Sequence, residues 1–205
     1  MTAAPTSPVP LLHAEFTLAI RDVAAVEERG APIHLGAAAN AATGCARLED
    51  QLVFEGDKSL GMEGLLTARG AAKLKIGDWA KMGQAVDDLI AAVNALDDAG
   101  LLGPYAAGLA RALYNVLFVR YPQGNMTQVE HVRQLITAGL VKVPTLKSGG
   151  VVLATGRRFA AIVLGQDMTT GFMGPAGTNY EFVVLESLCP RIFVPEAICV
   201  LQSGK

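Results

Sequence analysis

Charged residues are few in this 205-residue chain, and neither sign dominates. Only 18% of the residues are charged, and 17 Lys and Arg against 19 Asp and Glu give a formal net charge of −2. The basic residues are scattered, so no basic stripe could neutralise the phosphates of a nucleic acid or hold an anionic membrane surface. We therefore expect neither a nucleic-acid partner nor a membrane partner.

Cysteine and histidine are also scarce, with three of each. Cys45, Cys189 and Cys199 show neither a disulfide framework nor a metal-binding spacing. The histidines lie far apart and outside any metal-binding or catalytic pattern. We expect no metal site, and the cysteine usage favours a reducing, cytoplasmic environment.

The chain lacks a long uninterrupted hydrophobic run. Residues 101–119 approach membrane-spanning length, but Gly103-Pro104 and Arg111 interrupt them. The first residues carry no positive charge ahead of an apolar core, so we expect no secretory signal. Both observations favour a protein that stays in the cytoplasm.

Apolar residues are abundant instead, at 51% of the chain. A chain of this length suffices for one domain with a sizeable core or for two small lobes. Such a high apolar content leaves apolar surface for partners. The hydrophobic period is helical in the middle of the chain and strand-like behind it, which is typical of an α+β fold.

Two elements are predicted in the first quarter of the chain. Alternation of Phe16, Leu18 and Ile20 with polar or small neighbours predicts a strand over residues 11–20. Helical spacing then predicts a long helix over residues 35–54 with a narrow, Ala-rich stripe. The stripe consists of Ala38, Ala42, Cys45, Leu48 and Leu52. Small side chains let another element approach closely, so we expect this helix to lie against a sheet or a neighbouring subunit.

Three more helices are predicted in the middle of the chain. The first begins at Asp78 as N-cap and ends at Gly100, and its apolar positions are expected to form the core of a lobe. Those positions are Trp79, Met82, Val86, Ile90 and Val93. A further helix follows Gly103-Pro104, with Leu109, Leu113, Val116 and Leu117 on one side, and another covers residues 127–138. Strands are then predicted at residues 141–143, 151–153, 161–164, 181–185, 192–194 and 197–201.

The sequence contains no constellation typical of catalysis. No serine lies in a nucleophile-elbow context, and no glycine pattern matches a dinucleotide or phosphate loop. Glu49 and Asp50 are adjacent acidic residues, but neighbours on a helix point about 100° apart and cannot act jointly across one bond. A structural or binding role, with Glu49 and Asp50 at a surface or interface, is favoured over an enzyme.

Several segments, in chain order, carry a resemblance to a known family. They are PLLHAEFTLAI (residues 10–20), VEERG (26–30), LEDQLVFEG (48–56), GMEGLL (61–66), GPY (103–105), YP (121–122), GGVVL (149–153), LGQDMTTGF (164–172) and ES-x-x-x-RIFVPEAI (186–198). Together they resemble the encapsulin (linocin-type) family of nanocompartment shell proteins, whose subunits share the HK97 phage capsid-like fold. Their collinearity over nearly the whole chain carries more weight than any single motif.

The resemblance implies an architecture. It assigns residues 1–19 to the residual half of an extended loop, and residues 20–76 with 157–193 to a peripheral domain of spine helix plus sheet. It assigns residues 77–156 with 194–205 to an axial domain. Family members begin with a helical arm and an outgoing loop strand, so we expect this chain to be an N-terminally truncated member.

Arg21 stands where some members carry a Trp implicated in flavin stacking, so we expect no flavin and no other cofactor.

The resemblance also implies a function. The leading interpretation is a self-assembling structural shell subunit that encloses a redox or iron-storage enzyme, with itself and an oxidoreductase or ferritin-like cargo as partners. One alternative is a truncated scaffold bound to an oxidoreductase, such as a hydrogenase, without cage formation. A bacteriocin-like or protease-like activity is a third, disfavoured alternative.

We expect the assembly interface to involve the strand and the Ala-rich helix. In the family the strand over residues 11–20 pairs with the strand before it, so we expect it here to lack a partner within the chain. Such an apolar edge is a template for strand addition onto another chain. The candidate interface residues are Leu11, Phe16, Leu18, Ile20, Ala38, Ala42, Glu49 and Asp50.

Overall fold

A computed structural model of the chain describes residues 8–122 and 124–204. These residues form two compact units. The first contains the described residues up to Leu52 together with Ile162–Cys189, and the second contains Val53–Ala161 with the described residues from Pro190 onward. Helices and strands alternate unevenly along both units, as expected for an α+β chain. No described helix is long and apolar enough to cross a membrane.

The first unit is built on a three-stranded sheet with the order β1-β9-β8. Its strands are β1 (Leu11–Ala19), β8 (Ala160–Ala176) and β9 (Asn179–Ile192). Two helices follow β1: α1 (Ile20–Arg29) and the long α2 (Gly36–Glu55). A two-residue turn joins β8 to β9, and Gly177 takes a φ of 60° there, which suits a tight hairpin.

Strand β1 has a partner within the chain. It pairs with β9 in antiparallel register from Leu11 opposite Ser187 to Ala19 opposite Asn179. The prediction that this strand lacks an intrachain partner is therefore wrong. The two short strands predicted at residues 161–164 and 181–185 are parts of one long hairpin, and its second strand provides the edge with which β1 pairs.

Helix α2 covers one face of this sheet, and the predicted helix over residues 35–54 is confirmed within a residue at each end. Its buried residues are Ala41, Cys45 and Leu52, whereas Leu48 is exposed. The contact is close because the helix presents small groups: a Cβ added at Gly44 would lie 3.8 Å from the Cβ of Ala14 on β1. The Cys45 cluster, as we call this contact, comprises Ala41, Cys45 and Val184 with Leu12, Ala14, Phe16, Ala42 and Met168 packed around them.

The second unit is built on a five-stranded mixed sheet with the order β4-β10-β7-β5-β6. Its strands are β4 (Ala72–Ile76), β5 (Tyr105–Ala110), β6 (Gly139–Val143), β7 (Gly150–Ala154) and β10 (Ile198–Ser203). The pairs β4–β10 and β5–β6 are parallel, and the pairs β10–β7 and β7–β5 are antiparallel. Three helices accompany the sheet: α3 (Gln84–Asp98), α4 (Arg111–Val116) and α5 (Gln128–Leu135). A short ribbon of β2 (Gly56–Asp57) and β3 (Met62–Glu63) and a 3-10 turn at Pro195–Ala197 complete the unit.

One predicted helix in this unit needs correction, and another is confirmed. Residues 105–110, predicted as helical, form a strand because β6 and β7 pair with them on both sides. Only Arg111–Val116 of that predicted helix is helical. Helix α5 lies where predicted, and the Glu130 carboxylate accepts a hydrogen bond from the Thr127 hydroxyl at 2.7 Å to fix its first turn.

Helix α3 contributes to the core of the second unit as predicted. It buries a different face than predicted, and it begins later in the chain. Its buried stripe consists of Ala85, Leu89, Ala92, Val93 and Leu96. Ile90 is 42% exposed and Met82 is also exposed, so their assignment to the core is wrong. Trp79 and Val93 are buried as predicted, and Val86 packs against the core from a half-buried position.

The late start of α3 has a physical cause in the buried carboxylate of Asp88. It accepts hydrogen bonds from the Trp79 indole N–H at 2.7 Å and from the Gly77 backbone N–H at 2.8 Å. The Gln84 amide adds a third at 2.9 Å. These bonds hold residues 77–79 against the helix side, and Gly83, with a φ of 90°, then begins the helix. Asp78 is therefore not the N-cap.

We predict that Leu89→Ala and Ile90→Ala differ sharply in stability. Leu89 is fully buried, so its truncation leaves a cavity and should lower the free energy of unfolding by about 2–5 kcal/mol. Ile90 is exposed, so its truncation should cost well under 1 kcal/mol. Denaturant unfolding monitored by circular dichroism measures both. Equal losses would contradict the orientation of α3.

A second prediction concerns the Asp88 carboxylate. Asp88→Ala should destabilise the second unit by about 1–3 kcal/mol, because it leaves the buried Trp79 indole N–H without an acceptor. Asp87→Ala, one position earlier and exposed, is the matched control and should have little effect. Trp79 is the only Trp in the chain, so its fluorescence reports the environment of the indole directly. An unchanged emission maximum and stability for Asp88→Ala would rule out this role.

Candidate assembly surface

The eight candidate interface residues all belong to the first unit, but the structure places them in different environments. Leu11 is 58% exposed at the start of β1. Phe16 and Leu18 take half-buried positions on the alternate face of the strand, and Ile20 is the half-buried first residue of α1. Ala38, Ala42, Glu49 and Asp50 are half-buried on α2. No partner chain is present, so their role in assembly stays a prediction.

Phe16 belongs to an aromatic group within the chain. Its ring stacks on that of Phe182 of β9 with 5.2 Å between centroids and 10° between planes. Phe172 of β8 lies 5.3 Å from Phe182 and 5.5 Å from Tyr180. Offset stacking and edge contacts of this kind add to the stability of the sheet. The Phe16 ring therefore already packs within the chain, whereas Phe172 on β8 remains 60% exposed.

Part of the Ala-rich stripe also packs against the chain's own sheet. Ala42 packs against the Cys45 cluster, so the close approach that small residues allow is made by the chain's own sheet at this position. Glu49 follows Cys45 by one helical turn, at the edge of the same contact. The structure thus brings Ala42 and Glu49 to the interface between helix and sheet, not to an isolated surface.

Glu49 lies in an acidic environment. Burial raises its pKa, and the negative charges of Glu186, Asp50 and Asp167 raise it further. Burial, then Asp167, raises the pKa of Glu186 on β9. Burial also raises the pKa of the Cys45 thiol, with Glu186 and Glu49 adding to the effect. Like charges that share a poorly solvated site disfavour one another's ionisation.

The sequence analysis missed Glu186 and Asp167 as members of this group. A signal was available for Glu186: in the strand FVVLESL it occupies the same alternate face as Phe182 and Val184, an apolar face that needs no acid. Asp167 carried no comparable signal. It is the one charged residue in the sequence of β8.

The sheet of the first unit has two outer strands. Strands β1 and β8 each have β9 as neighbour on one side and no sheet partner among the described residues on the other. Ile162, Val163 and Leu164 of β8 are exposed. Long edge strands with few charges and exposed apolar side chains are templates for pairing with another chain. Each strand carries one acidic residue, Glu15 in β1 and Asp167 in β8, but β8 has 17 residues against nine in β1 and so fits that description better.

The described residues contain no group of three or more His, Cys, Asp or Glu residues that could hold a metal ion. All three histidines are exposed, and all three cysteines are buried and not joined in disulfides. Arg21, the position discussed for flavin, is exposed and pairs with its neighbour Asp22 at 3.2 Å.

Comparison with known proteins places the chain among shell proteins. The family described as "Encapsulating protein for peroxidase" matches residues 1–189. The type 1 encapsulin shell protein EncA of Myxococcus xanthus is 37% identical over 96% of this chain and 69% of its own length. A diheme-cytochrome-encapsulin shell fusion protein of Kuenenia stuttgartiensis is 32% identical over 94% of this chain. A ferritin-like-encapsulin shell fusion protein of Pyrococcus furiosus is 26% identical over 95% of it. The chain spans about half the length of each fusion protein, 53% in both cases.

Solved structures give the same placement. The virus-like particle of Pyrococcus furiosus matches with a TM-score of 0.82 and 25% identity, over 96% of this chain and 78% of that one. The capsid of Myoviridae phage XM1 matches with a TM-score of 0.70 and 12% identity, over 97% of this chain and 74% of that one, and this likeness concerns the fold alone. The described helices and strands, the family match over most of the sequence and the particle structure agree: the chain belongs to the encapsulin family of shell proteins and has the HK97-type capsid fold.

Proposed function

We propose that copies of this chain assemble into a protein shell around a redox or iron-storing protein, and that the chain acts as the structural subunit and not as the catalyst. The observation that carries the proposal is the 37% identity to a type 1 encapsulin shell protein over 96% of the chain. Shells of this kind repeat one interface under rotational symmetry until the surface closes.

The nature of the partner is suggested by two relatives. Their names join an encapsulin shell to a diheme cytochrome in one case and to a ferritin-like protein in the other. Both additions are redox or iron proteins. An oxidoreductase or a ferritin-like protein is therefore the partner class that we assign to the interior of the shell.

A structural role agrees with the chemistry of the first unit. Its acidic residues Glu49 and Glu186 lie where helix packs on sheet, with Cys45 fully buried beside them. The three cysteines are not joined in disulfides, which favours a reducing compartment, so we place the shell in the cytoplasm.

The proposed contact between copies includes the free edge of β8. Ile162 and Leu164 lie on one face of this strand, and both are about half exposed. Together with Leu11 at the start of β1, they present apolar side chains beside unpaired backbone groups. Burial of that surface by a second copy would supply both hydrogen bonds and hydrophobic stabilisation.

The test of the shell itself is the size of the purified assembly. Light scattering after size exclusion should show a large, uniform mass, and negative-stain microscopy should show closed hollow particles. A dispersed folded monomer at micromolar concentration would contradict the proposal. Small open oligomers that bind an oxidoreductase would instead favour the scaffold interpretation.

A second measurement tests the β8 edge. The double variant Ile162→Glu with Leu164→Glu should lower the assembled mass, because it places two charges in an interface that must be desolvated. The conservative pair Ile162→Val with Leu164→Val retains an apolar edge and should assemble normally. Circular dichroism checks that both variants are folded. If the charged variant forms particles as fully as the control, β8 does not form the contact.

A further inference from the structure

One carboxyl oxygen of the first unit is buried without a hydrogen-bond partner. Glu186 is only 5% exposed, and its Oε2 atom has no such partner among the described residues. Buried polar atoms in proteins are nearly always hydrogen-bonded, because an unsatisfied one is destabilising, and more so when it is charged. A buried carboxyl oxygen without a partner therefore needs an explanation.

The position of Glu186 follows from the packing of helix on sheet. Val184, two residues earlier on the same face of β9, packs against Cys45. Glu49 lies one turn beyond Cys45 on α2, so helix and strand carry Glu49 and Glu186 to the same end of the contact. Asp167 comes directly before Met168, which also packs in the Cys45 cluster. The negative charge of Asp167, which is exposed on β8, thus acts on both Glu49 and Glu186.

The titratable groups around Glu186 come from α2 and β8, and all of them are acidic. Helix α2 contributes Glu49 and the Cys45 thiol, with Asp50 acting on Glu49, and β8 contributes Asp167. Strand β1 places the apolar Leu12 opposite Glu186. Its titratable residues near this point, His13 and Glu15, occupy the exposed alternate positions. The electrostatic effects on Glu49 and Glu186 come from acids alone.

We propose that Glu186 is the pH-sensitive group of the first unit, and that its ionisation as the pH rises loosens the packing of α2 on the β1-β9-β8 sheet. A protonated carboxyl removes one of the like charges and costs less to bury than a carboxylate, so a single proton relieves both repulsion and desolvation. The contact of helix and sheet then acts as a pH-sensitive element. The proposal does not depend on the function proposed above.

The direction of the pH dependence follows from the raised pKa values of Glu186 and Glu49, both above the ordinary carboxyl value of 4.5. The folded state holds these protons more tightly than the unfolded state does. Their contribution to stability is complete below the unfolded pKa and is lost as the pH rises through the folded pKa. The first unit should therefore lose stability as the pH rises from the ordinary carboxyl value through the raised one.

The direct test compares the intact protein with Glu186→Gln, which keeps the shape but cannot ionise. Glu181→Gln, on the same strand and exposed, is the control. Infrared spectra recorded as the pH is raised above the ordinary carboxyl value should show a protonated carboxyl band in the intact protein and in the control, and the band should be weaker in Glu186→Gln. An undiminished band in Glu186→Gln, or its absence from the intact protein, would overturn the proposal.

Cys45 reports on the opening of the contact. It is fully buried against the sheet, so a thiol reagent reaches it only when α2 separates from the sheet. At about pH 8 its labelling should be slower in Glu186→Gln than in the intact protein, by about tenfold for each unit by which folding raises the Glu186 pKa. Labelling of Cys199, buried in the second unit, should not change.

Two results would contradict the proposed effect of Glu186 ionisation. Equal or faster Cys45 labelling in Glu186→Gln would show that the charge of Glu186 does not loosen the contact. A bound cation is the other possible occupant. A chelator that lowers the unfolding temperature of the intact protein but not of Glu186→Gln would identify a metal ion, and the proposal would then be wrong. An unfolding temperature that the chelator leaves unchanged agrees with a proton, and not a metal ion, at Glu186.

Discussion

The first unit depends on the contact between one helix and one strand. Strand β9 is the middle strand of its sheet, and α2 covers the face that carries Phe182, Val184 and Glu186. The helix can lie close because Ala41, Gly44 and Cys45 are small at the points of contact. Close packing gains dispersion and hydrophobic energy, but it also removes water from any polar group on that face. The burial of Glu186 is a consequence of that packing.

The other side of this arrangement concerns the sheet edges. Helix α2 covers a face of the sheet and not an edge, so β1 and β8 have no sheet partner among the described residues on their outer sides. A soluble monomer normally protects such edges with charges, proline or a bulge. Strand β8 has a proline only near its end, Pro175, and a single charge. An edge of this length is tolerable in a chain whose copies cover it, which agrees with membership of a shell-forming family.

Sequence reasoning succeeded where a single element determines its own pattern. The regular apolar spacing of residues 35–54 predicted α2, and Thr127 followed by Glu130 marks the start of α5 whatever the rest of the chain does. It failed where distant segments decide. The run YAAGLA reads as helical because alanine and leucine favour helices, yet β6 and β7 pair with it on both sides.

The acidic group of the first unit shows more clearly that contacts between distant segments cannot be predicted from one element's own pattern. Glu49 was singled out for its own position on a helix, but its chemistry comes from Glu186 and Asp167, which the chain brings close only through folding. In the second unit, Asp88 holds Trp79 and Gly77 by hydrogen bonds that no local pattern announces, and these bonds displaced the start of α3. Buried polar groups are placed by tertiary packing, so periodicity cannot find their partners.

The two features of the first unit, the buried acid beneath α2 and the open sheet edges, share strand β9. This strand pairs with β1 and is the sheet neighbour of β8, and it carries Glu186 on the face beneath α2. Neighbouring strands in a sheet twist together, so a rearrangement of that face would be passed to both outer strands. On the two proposals made above, the ionisation of Glu186 and the pairing of the outer strands with a second copy are then coupled. A coupling free energy acts in both directions: a contact that holds the outer strands in place would also favour the proton on Glu186.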